Sequence, residues 1–179
     1  MKDSGKGKLV SVEANLVDKV WGTHRPSRPV HPVFVLPDTY TGKPFAEKLS
    51  DLRKTLTEKK SPGMVVSMLD EVAWLFNLRG SDIDYNPVFF AYALVTHDSA
   101  TLYINENKLT KSVKEHLQGV KIAPYEDIFG HIKALGEGID GEAAHGKIFV
   151  SNKCSWALTL ALGENKVTKG APTFRGANS

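Results

Sequence analysis

The sequence predicts an α/β domain built on a mixed, mostly parallel β-sheet that is flanked by helices on both faces. Strand-like and helix-like hydrophobic patterns alternate along most of the 179 residues. Two apolar strands, 88–96 and 101–104, are separated by the turn-like sequence His97-Asp98-Ser99, which indicates a hairpin. Alternation combined with a hairpin is typical of a mixed sheet whose parallel strands are buried on both sides.

The chain divides into three predicted parts. Residues 1–32 are predicted to be a lead-in or linker that lies along the domain surface or joins an upstream part, because prolines interrupt regular structure between residues 26 and 32. Residues 33–162 form the predicted α/β domain. Residues 163–179 show no periodicity and are predicted to be a loose C-terminal tail.

Hydrophobic spacing and turn residues set the limits of the predicted elements. Apolar residues recur every three or four positions between 45 and 56, which predicts an amphipathic helix with its Lys and Glu residues on the solvent side. The predicted strands are 33–36, 64–68, 88–96, 101–104, 120–123 and 147–150. The predicted helices are 43–60, 69–77, a short one capped by Thr110, 125–135, and one that Ser151 caps and that runs to about 162.

Capping residues mark both ends of the helix predicted over 69–77. Ser67 and Asp70 have the spacing of a capping box, with Asp in the position that Glu or Gln usually holds. Gly80 follows close behind the last helical residue, where glycine often ends a helix. We therefore expect Ser67 to begin this helix and Gly80 to end it.

Composition narrows the class of protein. Hydrophobic residues make up 41% and charged residues 24% of the chain, which is ordinary for a globular domain. The net charge of +3 is too small to indicate a nucleic-acid partner. The single cysteine, Cys154, rules out an internal disulfide and indicates a reducing compartment. With no secretory signal pattern and no apolar run long enough to span a bilayer, we expect a cytoplasmic protein without a membrane partner.

Most motifs that could carry chemistry have a structural interpretation. The sequence 136–141 has the letters of a dinucleotide-binding motif, but it follows a predicted helix and precedes a strand, so we interpret it as a loop. The six histidines show no metal-binding spacing. Asp127 and His131, four apart, are predicted to be an exposed helical pair. Cys154 is interpreted as structural, and a hydrolase that uses it as nucleophile is a third hypothesis.

Arg79, Asp82 and Asn86 are the candidate site residues. They are polar residues in the connection between two very apolar elements, the predicted helix 69–77 and the predicted strand 88–96, and we call this connection the crossing. Loops held by rigid elements often carry function. Two interpretations remain open. In the first, the residues brace the fold, with Arg79 paired to Asp82 or Asp84 and Asn86 capping backbone groups. In the second, they face a substrate or a neighbouring domain.

This crossing also carries a family resemblance. The residues concerned are Leu69-Asp70-Glu71-Val72-Ala73-Trp74-Leu75-Phe76-Asn77-Leu78-Arg79-Gly80-Ser81-Asp82 and Asn86-Pro87-Val88-Phe89-Phe90-Ala91-Tyr92-Ala93. Supporting matches are Asn15 to Gly22, Tyr40-Thr41-Gly42 and Ser112 to Leu117. Together they resemble the middle domain of the three-domain Xaa-Pro aminopeptidases (aminopeptidase P), which belong to the creatinase/prolidase group of metallopeptidases.

The resemblance implies a creatinase N-terminal-type fold and a parent enzyme that removes N-terminal residues preceding proline. In that family two divalent metal ions, commonly manganese, are held by two Asp, one His and two Glu of a C-terminal catalytic domain. No position of this chain matches one of those ligands, so we assign no catalytic residue, metal ligand or cofactor to it.

The expected role is therefore a non-catalytic middle domain that serves structure, assembly and access to the active site. Its expected partners are the catalytic domain of the parent enzyme and, within the parent, a second copy in a homodimer. We expect the chain alone to be inactive, and whether it is to be classed as an enzyme stays open. The alternative is a stand-alone peptide- or protein-binding module derived from that domain.

Overall fold

A computed structural model describes residue 12, residues 15–138 and residues 146–170. The strands are β1 (Phe34–Val35), β2 (Gly63–Val66), β3 (Leu78–Arg79), β4 (Ala91–Thr96), β5 (Ala100–Ile104), β6 (Lys121–Ala123), β7 (Ile148–Val150) and β8 (Val167–Lys169). The α-helices are α1 (Leu16–Trp21), α2 (Asp38–Thr41), α3 (Phe45–Glu58), α4 (Leu69–Leu75), α5 (Lys111–His116), α6 (Ile128–Gly138) and α7 (Trp156–Leu162). Single 3-10 turns occur at Gly22–His24, Glu106–Lys108, Tyr125–Asp127 and Glu164–Lys166.

The main sheet has the strand order β6-β5-β4-β2-β7-β8, and β1 and β3 form a separate antiparallel pair. Strand β4 runs antiparallel to both of its neighbours, β2 and β5, so the predicted hairpin of β4 and β5 is confirmed. The pairs β5–β6, β2–β7 and β7–β8 are parallel. Parallel pairs therefore outnumber antiparallel pairs in this sheet, which confirms the mixed, mostly parallel prediction.

Each face of the sheet has its own core. Ala91, Ala93 and Val95 of β4 pack into one hydrophobic cluster, whereas Tyr92 and Leu94 contact the other, as the alternation of side chains along a strand requires. Helices α3, α4 and α5 bury their apolar residues in the first cluster. Helices α6 and α7 bury theirs in the second. Helices on both faces are thus confirmed, and burial of each large apolar side chain contributes about 1.5–3 kcal/mol.

The two ends of the described chain differ from the sequence prediction. Val167–Lys169, predicted to be part of a loose tail, form strand β8 parallel to β7. Three residues are too few to show a period of their own, and their order comes from pairing with a strand that lies far away in sequence. Helix α1 falls within the predicted lead-in, and none of its residues is buried. The limits 1–32, 33–162 and 163–179 remain predictions.

The caps of two helices also differ from the prediction. Met68 takes the position before α4 without a side-chain cap, and the buried Ser67 Oγ has no hydrogen-bond partner among the described atoms. Asn77, at φ +52°, provides the left-handed turn after α4. At α7 the cap is Ser155, whose Oγ accepts a hydrogen bond from Leu158 N at 3.3 Å, and not Ser151.

Gly80 has a different function from the predicted one. A Cβ at this position would lie 2.7 Å from the Phe89 Cβ and 3.2 Å from the Val88 carbonyl oxygen. Glycine therefore permits the close approach of the β3 end to the segment before β4. The predicted Thr110 cap is confirmed, because its Oγ1 accepts from Val113 N at 3.3 Å. Within the ranges that the structure describes, no helix has the length and apolar character needed to span a bilayer.

Candidate functional site

Arg79 lies at the end of β3 and is half-buried. Its Nη1 donates to the carbonyl oxygens of Ala73, at 3.2 Å, and of Leu78, at 2.8 Å. The guanidinium therefore holds backbone at the C-terminal end of α4, where carbonyl groups lack helical partners. Among the described residues no ion pair joins Arg79 to Asp82 or Asp84, as the bracing interpretation supposed, and Lys108 pairs with the Asp82 carboxylate instead.

Asp82 forms a fully buried ion pair with Lys108. The side chains are 0% and 2% exposed. Asp82 Oδ2 also accepts a hydrogen bond from Phe90 N at 2.7 Å, while Oδ1 has no partner among the described atoms. The backbone adds a bond from Asp82 N to Val88 O at 3.1 Å. Asp82 thus connects the segment after β3 to the segment before β4 and to the turn after β5.

Asn86 belongs to an exposed turn, which we call the loop tip (residues 83–87). Its backbone N–H donates to Ile83 O at 3.2 Å, which closes the turn. Tyr85 is fully exposed and has φ +61°, a conformation that is rare for a bulky residue. The crossing therefore combines a rigid, buried base with a strained, exposed tip, and such strain often accompanies function.

A cleft of about 320 Å³ adjoins the buried pair, and we call it the β5–β6 cleft. It was not indicated by any sequence pattern, because four separate segments contribute to it. The lining residues are Arg28, Pro29, Phe90, Ile104, Asn105, Glu106, Lys108, Ile122, Ala123, Pro124, Tyr125 and Glu126.

The cleft lies at the carboxyl ends of two neighbouring parallel strands, β5 and β6. The chain leaves β5 toward α5, which packs on one face of the sheet, and leaves β6 toward α6, which packs on the other. When the connections after two adjacent parallel strands depart to opposite faces, a crevice opens between them, and ligands of α/β proteins bind in such crevices.

Two cations line the cleft in contrasting surroundings. The Arg28 guanidinium lies 4.7 Å from the centroid of the Tyr125 ring and pairs with Glu126 at the surface. Lys108 is buried, with its Nζ 5.8 Å from the centroid of the Phe90 ring. Burial and a hydrogen bond with Tyr92 raise the pKa of Tyr125, so its phenol stays neutral.

Residues 28–33, which we call the strap, contact three parts of the domain. Arg28 contacts Tyr125 and Glu126. The ring nitrogen Nδ1 of His31 lies 3.1 Å from Ser81 O, and Val33 N donates to Lys108 O at 2.9 Å. The strap therefore joins the crossing to the turns that follow β5 and β6.

A second polar cluster supports the crossing from α3. Lys48 is buried and donates to Trp74 O at 2.9 Å and to Asn77 Oδ1. Burial first, and the nearby Arg79 charge second, lower the pKa of Lys48 to about 8, against the opposing effect of Asp38. The sequence placed this lysine on the solvent side of its helix, so its role in the site was missed.

The sequence 136–141 and the pair of Asp127 and His131 were also considered as sites, and the structure describes them in part. Gly136 and Gly138 belong to α6, and a Cβ at Gly136 would lie 2.3 Å from Leu162 O, so Gly136 permits close helix packing; 139–141 are outside the described residues. His131 Nδ1 lies 3.0 Å from the Tyr103 hydroxyl, which differs from the predicted helical pair with Asp127.

Cys154 is half-buried, with Sγ 3.4 Å from Thr159 Oγ1. Across residues 12, 15–138 and 146–170, no three or more His, Cys, Asp or Glu side chains come together in a way that could hold a metal ion. The described part of the chain therefore provides no cage for the metals that the resemblance implies for the parent enzyme.

Comparisons with known proteins place this geometry in context. A family model for the creatinase/prolidase N-terminal domain matches residues 24–175. A probable Xaa-Pro aminopeptidase P of Coccidioides posadasii is 56% identical over 172 residues, which cover 93% of this chain and 28% of that protein. The corresponding protein of Pyrenophora teres f. teres is 57% identical over 162 residues, covering 88% of this chain and 25% of that protein.

Solved structures give the same result. The X-prolyl aminopeptidase of Caenorhabditis elegans, described as a cytosolic enzyme with a di-nuclear active site, superposes with a TM-score of 0.83 at 31% identity, over 89% of this chain and 26% of that one. An aminopeptidase P from Streptococcus thermophilus shares the fold, with a TM-score of 0.52 at 14% identity, over 72% and 93% of the two chains. The chain spans about 28% of the length of the Coccidioides relative.

Proposed function

Because the chain belongs to the creatinase/prolidase N-terminal domain family, we propose that it serves as a non-catalytic domain of a Xaa-Pro aminopeptidase. The observation that carries this proposal is the match of 93% of the chain to only 28% of an aminopeptidase P. The parent enzyme would remove N-terminal residues preceding proline in the cytosol. The two divalent metal ions, commonly manganese, would be held by a catalytic domain outside this chain.

The proposed role within the parent is structural: packing against the catalytic domain, support of a homodimer and restriction of access to the metal site. Arg79, Asp82 and Asn86 would serve it in different ways. Arg79 and Asp82 hold the base of the crossing, and Asn86 shapes the loop tip that faces a neighbouring domain or the substrate. Exposed aromatic residues on a rigid loop are favoured as contact anchors, since little conformational freedom is lost on binding. Tyr85 fits this description.

An activity assay tests the proposal. The purified chain, with added Mn²⁺ and a Xaa-Pro peptide, should release no free amino acid above the buffer blank. A full-length aminopeptidase P assayed in parallel is the positive control. Robust turnover by the chain would contradict the proposal, and loss of that turnover in Cys154→Ala would assign it to the cysteine.

The alternative function is a stand-alone peptide- or protein-binding module derived from this domain, and the β5–β6 cleft is the observation that favours it. Sequencing the gene on both sides of these 179 residues separates the two. A metallopeptidase domain in the same reading frame supports the enzyme-domain proposal. A coding region without one supports the binding module.

A further inference from the structure

We propose that the β5–β6 cleft binds a small ligand with an apolar body and a carboxylate group. This inference does not depend on the function of the parent enzyme, because it rests on the cleft alone. A volume of about 320 Å³ is at the lower end of the range found for ligand sites, so the ligand is small.

The apolar body follows from the walls. Ile122, Phe90 and Pro124 supply hydrocarbon surface to the cleft. Ile122 is 37% exposed, although it lies on a strand of the main sheet. Covering such surface with an apolar ligand gains about 25 cal/mol for each Å² removed from water.

The acceptor group follows from the donors that the protein leaves unused. The buried Lys108 ammonium carries three N–H groups, and its side-chain partner in the described structure is Asp82. Arg28 carries five N–H groups, and its side-chain acceptor there is Glu126. A ligand oxygen in the cleft would be an acceptor for N–H groups of Arg28 or of Lys108, which both line it.

The negative charge of the ligand follows from the state of the lining carboxylates. Glu126 is bound by Arg28, and Glu106 is bound by Lys114 at 2.6 Å, which lowers the pKa of Glu106. Both are therefore already paired with cations. A ligand ammonium would have to displace Arg28 or Lys114 from these pairs, whereas a ligand carboxylate would accept from the N–H groups of Arg28 and Lys108 that are not donated to Glu126 and Asp82.

The test is a titration of the ¹⁵N-labelled chain with 3-phenylpropanoate, followed by two-dimensional NMR. We expect saturable shifts of the Ile104, Lys108 and Ile122 amide signals, with a dissociation constant on the order of 1 mM for a ligand of this size. 3-Phenylpropan-1-amine, its cationic counterpart, should give no saturable shift. Absence of saturation with the acid, or equal affinity for the amine, would overturn the proposal.

Two variants with a matched control locate the site. Ile122→Trp fills the cleft and should abolish binding, whereas Lys121→Trp on the same strand, outside the lining, should retain it. Arg28→Met should weaken binding of the acid several-fold and leave binding of the neutral 3-phenylpropanamide unchanged. Dispersed NMR spectra confirm that each variant is folded. Undiminished binding by Ile122→Trp would place the ligand elsewhere and refute the assignment.

One further arm identifies the source of the carboxylate. An N-acetylated tripeptide that ends in phenylalanine presents the same group as a peptide C-terminus. Tighter binding of the tripeptide than of 3-phenylpropanoate supports a peptide terminus as the ligand, and the reverse supports a free acid. Failure of both to bind would overturn the proposal, while leaving the aminopeptidase proposal untouched.

Discussion

Two ion pairs border the β5–β6 cleft, and they differ in exposure. The side chains of Asp82 and Lys108 are 0% and 2% exposed, whereas those of Arg28 and Glu126 are 57% and 69% exposed. The two ion pairs therefore differ in how much they stabilise the fold. The buried pair stabilises the base of the crossing, because removing one partner would leave the other charge buried without a counter-charge or water. The exposed pair competes with water and salt, and it holds the strap weakly.

Breaking the buried pair should have the largest effect. Asp82→Ala leaves the Lys108 ammonium buried without its carboxylate, so we expect the free energy of unfolding to fall by about 3–5 kcal/mol in urea titrations. The double variant Asp82→Leu/Lys108→Met should lose less, because it leaves no buried charge unpaired. A loss below about 1 kcal/mol for the single variant would contradict the importance assigned to burial.

A third buried charge, Lys48, sharpens the comparison because its bonds go to amide and carbonyl oxygens. Its pKa is about 8 in the folded state, against 10.5 as the ordinary value. Below about pH 8 Lys48 is protonated in both the folded and the unfolded state. Between the two pKa values the unfolded chain binds more protons than the folded one, so the free energy of unfolding rises with pH. We expect a rise on the order of 2 kcal/mol between about pH 8 and about pH 10, which Lys48→Met removes.

The control for this pH series is Lys54→Met, since Lys54 lies on the same helix and its side chain is 71% exposed. Denaturant titrations at each pH should give Lys54→Met the slope of the unaltered chain. If Lys48→Met also keeps that slope, Lys48 does not titrate in this range.

A substitution in the loop tip tests whether the buried base of the crossing holds the backbone of Tyr85 in a strained conformation. Tyr85 has φ +61° and is fully exposed, so Tyr85→Gly removes backbone strain at the expense of a more flexible unfolded chain. We expect a gain of up to about 1 kcal/mol by thermal unfolding. Tyr40→Gly, in the right-handed helix α2, is the matched control and should lose about 0.5–1 kcal/mol. Equal effects at both positions would refute the strain.

The smallest effect is expected for the exposed pair. Arg28→Ala should lower the free energy of unfolding by about 0.2–1 kcal/mol, and part of this difference should vanish in high salt. Urea titrations at low and high salt measure it. A loss above about 2 kcal/mol would mean that the strap is held as firmly as the base and would remove the contrast between the two pairs.

Local patterns were sufficient to predict much of the fold. The period of 45 to 56 predicted α3, and two apolar runs separated by a short turn predicted the hairpin of β4 and β5, because each signal lies within one stretch of sequence. Strand β8 was missed, since its order comes from pairing with β7. The caps of α4 and α7 were misplaced by a few residues because Ser67 and Ser151 have suitable chemistry but the wrong position.

The candidate site was predicted only in position. The crossing of Arg79, Asp82 and Asn86 stood out because polar residues interrupt apolar sequence there. The partner of Asp82 could not be inferred, because Lys108 lies 26 residues away and lysines on turns are usually solvated. The cleft could not be predicted either, because its lining residues are distant in sequence and come together only when β5 and β6 pair in the folded sheet.

The crossover geometry at β5 and β6 has a consequence for divergence within this family. The cleft requires no inserted loop or extra element, because it arises from the way the chain is wound. The exposed turn residue Glu126 lines it without contributing to either core, so it can change at little cost in stability. Relatives with the same winding would have a crevice at this place, and the residues that line it can differ while the scaffold stays constant.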